Sequence, residues 1–394
     1  MDKLKVLFVN GNLNVGGVEM ALVNLLNSLD FDRYSVDLLL LQSGDDYIDE
    51  IPESVNVIKM DLDSAQGSLF GAIIKSVKMR NWFGVSYRLL NICAKYTTVK
   101  AFRYLKLGHH LKKRYDVAVS FRPGFCADLV NNAICASKKI CWWHHGSMDV
   151  NIELPVLRRQ LLQFDKVVAV SNGVREMLGD FSPQLKPRIC VIPNIVDESR
   201  IRQKAKKFLP YPDEYLSREN RIVTVSRLSS EKNVIAVAEV AKILKAEGLK
   251  FKWYVIGDGA CRSTIETKIL EYGLDSEVIL AGHQANPYPW IKGADIMVHV
   301  SPVESFGLVI IEAMVLKTIT IAVESIGAKE LVNQNNGILV ENDAVAIANT
   351  LVNVMNRKYE MTDLINIANS DIQKYSFKKI ANIFNNICDA NAYF

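Results

Sequence analysis

Leu4-Lys5-Val6-Leu7-Phe8-Val9, then Asn10-Gly11-Asn12-Leu13-Asn14-Val15-Gly16-Gly17, then a periodic run over 18–29 together set the reading of the chain. The first piece is a short apolar run with the character of a buried strand. The second is a polar Gly/Asn loop, and the third spaces Val18, Leu22, Leu25, Leu26 and Leu29 along one helix face. The same unit recurs. Apolar strands are predicted at 36–41, 117–121, 140–143, 167–170 and 189–192, with helical stretches between several of them. Strands alternating with helices imply a parallel sheet covered by helices, an α/β doubly wound architecture.

A polar stretch over 197–220, carrying Lys204, Lys206, Lys207, Pro210 and Pro212, interrupts this pattern. The alternation restarts with strands predicted at 222–225, 253–256, 278–281, 296–300, 319–322 and 337–340, and helices such as 234–247 and 308–316. Two Rossmann-like domains follow, at 1–196 and 197–375. The last segments, 344–357, 362–374 and 377–389, are helical by spacing with no strand between them. A helix over about 376–394 is the candidate to pack back on the first domain.

The 394 residues exceed what one ordinary core organises, and a composition of 49% hydrophobic and 23% charged residues is that of a globular chain. No apolar stretch reaches the ~18 residues of a membrane span, and the start is too short for a signal-peptide core. Seven cysteines (Cys93, Cys126, Cys135, Cys141, Cys190, Cys261 and Cys388) form no CxxC pair and leave an odd thiol, which fits reduced cysteines in a cytoplasmic protein. A net charge of +4 suggests no nucleic-acid partner. The charge is unevenly spread, because the segment 75–114 holds Lys75, Lys78, Arg80, Arg88, Lys95, Lys100, Arg103, Lys106, Lys112, Lys113 and Arg114 and no acidic residue.

Ligands of open α/β sheets bind beyond the carboxyl ends of the strands. After the first strand, Gly16 and Gly17 would let a ligand approach backbone at a helix N-terminus, although an ordinary glycine turn reads the same way. The pattern is not GxGxxG, which disfavours a nicotinamide cofactor. After the strand at 296–300 comes Ser301-Pro302-Val303-Glu304-Ser305-Phe306-Gly307-Leu308-Val309-Ile310-Ile311-Glu312. Ser305 is expected to cap the following helix, leaving N–H groups near Phe306, Gly307 and Leu308 for an anion such as a diphosphate. Glu312, about two turns on, would share that face and accept from a vicinal diol, with Glu304 facing a sugar. The alternative is a capped helix with a solvated Glu.

Arg227 and Lys232 lie just past another strand end and would stabilise a departing diphosphate, unless they belong to a plain surface turn. His144 or His145 follows the strand at 140–143. Neighbours in extended chain point opposite ways, so at most one enters the cleft. No residues are spaced to make a metal site, and Asp61-Leu62-Asp63 follows no strand-turn-helix signal.

The ordered set Gly16-Gly17-Val18-Glu19, Val170-Ser171-Asn172, Ile192-Pro193-Asn194-Ile195-Val196-Asp197, Ser226-Arg227-Leu228-Ser229-Ser230-Glu231-Lys232-Asn233, Ile256-Gly257-Asp258-Gly259 and Glu304-x7-Glu312 resembles glycosyltransferase family 4, the group 1 retaining enzymes of GT-B fold. The resemblance implies that Arg227 and Lys232 hold the donor diphosphate, Glu304 contacts the donor sugar and Glu312 the nucleotide ribose. It implies that Gly16, Gly17, Gly257 and backbone near Ser305, Phe306, Gly307 and Leu308 border the donor, and that His144 bonds the transferred sugar. Two departures stand out. Lys317-Thr318-Ile319 replaces a common Gly-x-Pro, and Ile326-Gly327-Ala328-Lys329-Glu330 has one glycine where two usually precede the Glu.

The implied activity is transfer of a hexosyl or N-acetylhexosaminyl group, from a UDP-sugar by preference, onto a glycan or lipid-linked acceptor, with front-face retention and neither cofactor nor metal. The basic segment interleaves Trp82, Phe83, Tyr87, Phe102 and Tyr104, so it would suit an anionic surface at the inner face of the plasma membrane. Its alternative is a helical insertion packed on the first domain. Rival functions are a nucleotide-sugar epimerase of similar architecture and a non-catalytic nucleotide-sugar-binding protein.

Overall fold

A computed structural model describes residues 2–60, 113–211, 220–333, 335–356 and 372–389. Most of the basic segment 75–114, the Asp61–Asp63 pair, Cys93 and most of the helix expected over 362–374 lie outside the described residues.

The first half folds as β1 (Leu4–Asn10), α1 (Gly17–Asn27), β2 (Tyr34–Leu40), β3 (Val55–Lys59), β4 (Tyr115–Ser120), α2 (Phe125–Ala133), β5 (Ala136–Trp143), α3 (Leu154–Leu161), β6 (Lys166–Ala169), α4 (Asn172–Phe181) and β7 (Ile189–Val191). The second folds as α5 (Glu198–Lys204), β8 (Asn220–Val225), α6 (Ala236–Ala246), β9 (Phe251–Ile256), α7 (Arg262–Glu271), β10 (Val278–Gly282), α8 (Tyr288–Gly293), β11 (Ile296–His299), α9 (Leu308–Val315), β12 (Ile319–Val323), α10 (Ile326–Leu331), β13 (Ile338–Val340), α11 (Ala344–Asn356) and α12 (Phe377–Asp389).

Two parallel sheets result, in the orders β3-β2-β1-β4-β5-β6-β7 and β10-β9-β8-β11-β12-β13. Strand order reverses between β1 and β4 in one sheet and between β8 and β11 in the other. At such a switch point the connecting helices leave to opposite faces and open a crevice at the carboxyl ends. The strand β3 was not expected from the sequence. Among the described residues Val55-Asn56-Val57-Ile58-Lys59 pairs only with β2, and an edge strand half in water lacks a continuous apolar run.

The stretch at 197–220 does not open as a plain loop. The Asp197 carboxylate accepts from the Arg200 amide at 2.9 Å and so starts α5, which packs on α8 and α9. Lys317, where the family commonly has glycine, sits in the left-handed region at φ 64° just after α9. Only glycine takes that conformation without a Cβ penalty.

The chain returns to the first sheet through α12. Phe384 is fully buried, its ring 5.9 Å from Phe8, 6.2 Å from Tyr34 and 6.1 Å from Trp142. The Lys138 ammonium donates to the Ile387 carbonyl at 2.8 Å, and the Tyr34 hydroxyl donates to Asn385 at 2.7 Å. Among the described residues, no helix is long and apolar enough to cross a membrane.

Replacing Phe384 with Ala is expected to cost about 3–5 kcal/mol, seen as a lower urea midpoint, because a rigid pocket cannot collapse around the missing ring. Lys317→Gly is expected to act in the opposite sense, raising stability by about 1 kcal/mol in the same assay.

Candidate active site

The carboxyl ends of the two sheets face each other across a cleft of about 440 Å³. Its walls include Gly16, Gly17, His144, Arg227, Lys232, Gly257, Glu304, Ser305, Phe306, Gly307, Leu308 and Glu312, so every site residue singled out from the sequence borders the same space.

On the first-domain side, α1 begins at the cleft. A Cβ on Gly16 would fall 2.4 Å from one oxygen of the Glu19 carboxylate, whose other oxygen is ion-paired with Arg122, so a larger residue there would require Glu19 to shift. Gly17 looks across at Leu308, whose methyl carbon would lie 3.6 Å from an added Cβ. His144 lines the cleft and His145 does not. The His144 ring lies 4.7 Å from Phe121, and its Nε2 is buried with no hydrogen-bond partner among the described residues. An unpaired buried nitrogen is costly unless a ligand satisfies it. Burial, reinforced by Arg122 and His145, holds the His144 imidazole well below its ordinary value, so it enters neutral chemistry as a neutral group. His145 is lowered to about 4 by burial and by Arg122 and Arg227.

The second-domain side is built around the loop after β11. Ser305 does not cap α9, contrary to the sequence expectation. Gly307 occupies the cap position at φ 89° with no side-chain cap, and α9 starts only at Leu308. Glu312 is therefore four residues into the helix rather than two turns beyond a capping Ser305. The Ser305 hydroxyl instead donates to the His144 carbonyl at 2.7 Å, and the Ser171 hydroxyl donates to the Ser305 carbonyl at 2.7 Å. These bonds join the two domains, and they leave the first N–H groups of α9 uncapped by any side chain at the cleft. Gly257, at φ 144°, allows the loop after β9 to press on that after β8, where a Cβ would meet the Ser226 carbonyl oxygen at 1.8 Å.

The two acidic residues sit in opposite surroundings. One Glu304 oxygen lies 2.7 Å from the Lys232 ammonium and 3.1 Å from His299 Nε2. Burial works against ionisation, but these two partners outweigh it and draw the carboxyl down to about 2. Glu312 accepts from the Tyr288 hydroxyl at 3.2 Å. Burial dominates there over Tyr288 and Arg200, and the carboxyl is pushed up to about 7. The proposed diphosphate cations also differ. Lys232 is largely buried, whereas Arg227 is 73% exposed and paired with Glu231 at 3.1 Å, free to swing toward a ligand.

The cleft also holds residues that sequence reasoning passed over, among them His299, Arg200, Lys204 and Tyr288. Arg200 and Lys204 lie on α5, inside what was read as a connecting stretch, and both reach Glu50 of the first domain, at 2.5 and 2.9 Å. The histidine had a readable signal, being a polar residue at the end of an otherwise apolar strand.

Two parallel-sheet domains facing one cleft define the GT-B class of glycosyltransferase fold. The structure of Anabaena Alr3699/HepE in complex with UDP and glucose superposes with a TM-score of 0.73 over 98% of this chain and 100% of that one, at 18% identity. The chain belongs to glycosyltransferase family 4 of the group 1 glycosyltransferases: the Glycosyltransferase Family 4 model matches residues 15–200 and the model for Glycosyl transferases group 1 matches 212–371. Among curated relatives, the N-acetylgalactosamine-N,N'-diacetylbacillosaminyl-diphospho-undecaprenol 4-alpha-N-acetylgalactosaminyltransferase of Campylobacter jejuni is 27% identical over 45% of this chain, and the poly(ribitol-phosphate) alpha-N-acetylglucosaminyltransferase of Staphylococcus aureus is 27% identical over 41%. The matched segments span 47% and 34% of those two proteins.

The raised Glu312 carboxyl has a stability consequence. A group whose folded-state value lies above its unfolded one stabilises the fold at low pH and loses that contribution as pH rises, here between about 4.5 and about 7. Denaturation at two pH values is expected to show Glu312→Gln gaining about 2 kcal/mol relative to wild type on going from pH 5 to pH 8.

Proposed function

We propose that this chain moves a hexosyl or N-acetylhexosaminyl group from a nucleotide sugar, UDP-linked by preference, to a lipid-linked or surface-glycan acceptor, retaining the anomeric configuration. The observation that carries this reading is the joint placement of Glu304, Lys232, Glu312 and the N-terminus of α9 around one cleft. The UDP and glucose bound by the Anabaena protein support the donor class, and the printed activities of the Campylobacter and Staphylococcus relatives support the acceptor class.

In this reading Glu312 accepts from the ribose hydroxyls, and the N-terminus of α9 with Lys232 and Arg227 holds the diphosphate. His144 Nε2, otherwise unpartnered, bonds a sugar hydroxyl. The acceptor oxygen bonds to the anomeric carbon on the face from which the diphosphate leaves, the bond from carbon to phosphate oxygen breaks, and a phosphate oxygen of the donor takes the acceptor proton. No protein base is needed. The Glu304 carboxylate stays ionised and stabilises positive charge on the ring as it develops. Fixed cations and helix N–H groups neutralise the leaving group, so the step requires no metal. The basic segment 75–114 would bring the chain to the anionic inner face of the membrane, where a lipid-linked acceptor resides.

Thermal shifts against UDP-, GDP- and ADP-sugars test the donor assignment, since a ligand at ~100 times its Kd adds about 2.7 kcal/mol to the native state. One sugar nucleotide is expected to raise the Tm of wild type and to do so less for Glu312→Ala. With that donor, Glu304→Gln is expected to keep nucleotide binding and lose transfer by about 100-fold. An inverted product by NMR, an epimerised donor without acceptor, or donor binding without any transfer would each overturn a named part of the reading.

A further inference from the structure

His299 closes β11, a strand in the middle of the second sheet between β8 and β12, where the preceding residues Ile296, Met297 and Val298 are all buried and apolar. It is itself only 3% exposed, and its Nε2 reaches a cleft-facing carboxylate, Glu304, at 3.1 Å. Among the described residues that nitrogen is buried with no other polar group in reach, and its contact with Glu304 is a close approach not aligned as a hydrogen bond. A polar ring in such a place costs more than an aliphatic residue of similar size unless its contact is worth the desolvation. The same Glu304 oxygen is held by Lys232 at 2.7 Å, and Lys232 also donates to the Val303 carbonyl at 3.2 Å.

Lys232 therefore faces two demands. Its ammonium pairs with Glu304, and a bound donor would draw it to the diphosphate, which carries more negative charge than one carboxylate. A carboxylate that lost its lysine would turn or take up a proton, at the moment when its charge is needed beside the reacting carbon.

We propose that His299 is a positioning residue for sugar transfer, holding the Glu304 carboxylate in place and ionised when Lys232 engages the donor diphosphate. The inference rests on the reading of Glu304 given above and deepens it. Strand β11 supplies the rigidity, being bonded on both sides, so the imidazole cannot follow the ligand as the flexible lysine does.

His299→Leu and His299→Gln separate this role from plain packing, because leucine fills the space and glutamine restores an N–H donor. The full-length chain is expected to stay folded in both, with His299→Leu no less stable than wild type. Steady-state transfer is expected to show kcat about tenfold lower for His299→Leu with donor KM within about twofold, and most of the loss recovered in His299→Gln. A second readout needs no turnover. The Glu304 carboxyl carbon, followed by NMR in selectively labelled protein without ligand, is expected to titrate about one unit higher in His299→Leu than in wild type, and near wild type in His299→Gln. An unmoved Glu304 titration in His299→Leu overturns the positioning role even if no donor is ever turned over. Loss of activity in proportion to loss of stability in both variants overturns it in favour of packing. A wild type that transfers no sugar while Glu304 still shifts in His299→Leu counts against the transferase reading and leaves the contact standing.

Discussion

The architecture of this protein hinges on the way the first domain clasps the loop 301–307 of the second. Ser305 is bonded at both its hydroxyl and its carbonyl, to His144 and from Ser171, which stand just past the ends of β5 and β6. Gly146 makes the approach possible, since a Cβ there would sit 2.6 Å from the Glu304 carbonyl carbon. Each neutral bond contributes only about 1 kcal/mol net, so their value lies in geometry more than in stability. Nearby, the Asn172 side chain donates to Glu330 at 2.8 Å, which ties α4 to α10. Glu330 belongs to one of the two stretches that depart from the family pattern, and here it serves the contact between domains.

With the loop so clasped, the cleft separates two carboxylates by environment. Glu304 is surrounded by a lysine and a histidine and remains charged. Glu312 is buried beside a tyrosine hydroxyl, with Arg200 as its more distant charge, and sits near the midpoint of its titration at neutral pH. A permanently charged group suits a reacting centre where positive charge develops. A group close to neutrality is cheap to bury in the absence of ligand and gains hydrogen bonds when a diol arrives. The same residue type thus meets two opposite environments at the two ends of Glu304-x7-Glu312.

Much of the fold was legible because its signals are local and repeated. Alternating apolar runs and helical periods placed nearly every strand of both sheets, and the residues directly after those strands gave the cleft lining from Gly16 to Glu312. The failures have physical causes. Strand β3 is short and half-wet, α5 carries too little periodicity to stand out from a linker, and Ser305 looked like a cap because Ser, followed by Gly and an apolar run, is what a capped helix presents. The hydroxyl donates to a carbonyl of the other domain rather than accepting from a helix N–H, and the left-handed Gly307 opens the helix instead.

The sequence alone determined the two doubly wound domains, the loops that border the cleft and the family to which they are similar, because each depends on residues close together in the chain. Only the tertiary structure decided which of His144 and His145 enters the cleft, that Lys232 and Glu304, 72 residues apart, form an ion pair, and that His299 stands behind them. Charge state and orientation are set by the nearest neighbours in space and by the exclusion of water, and neither is written in spacing along the chain.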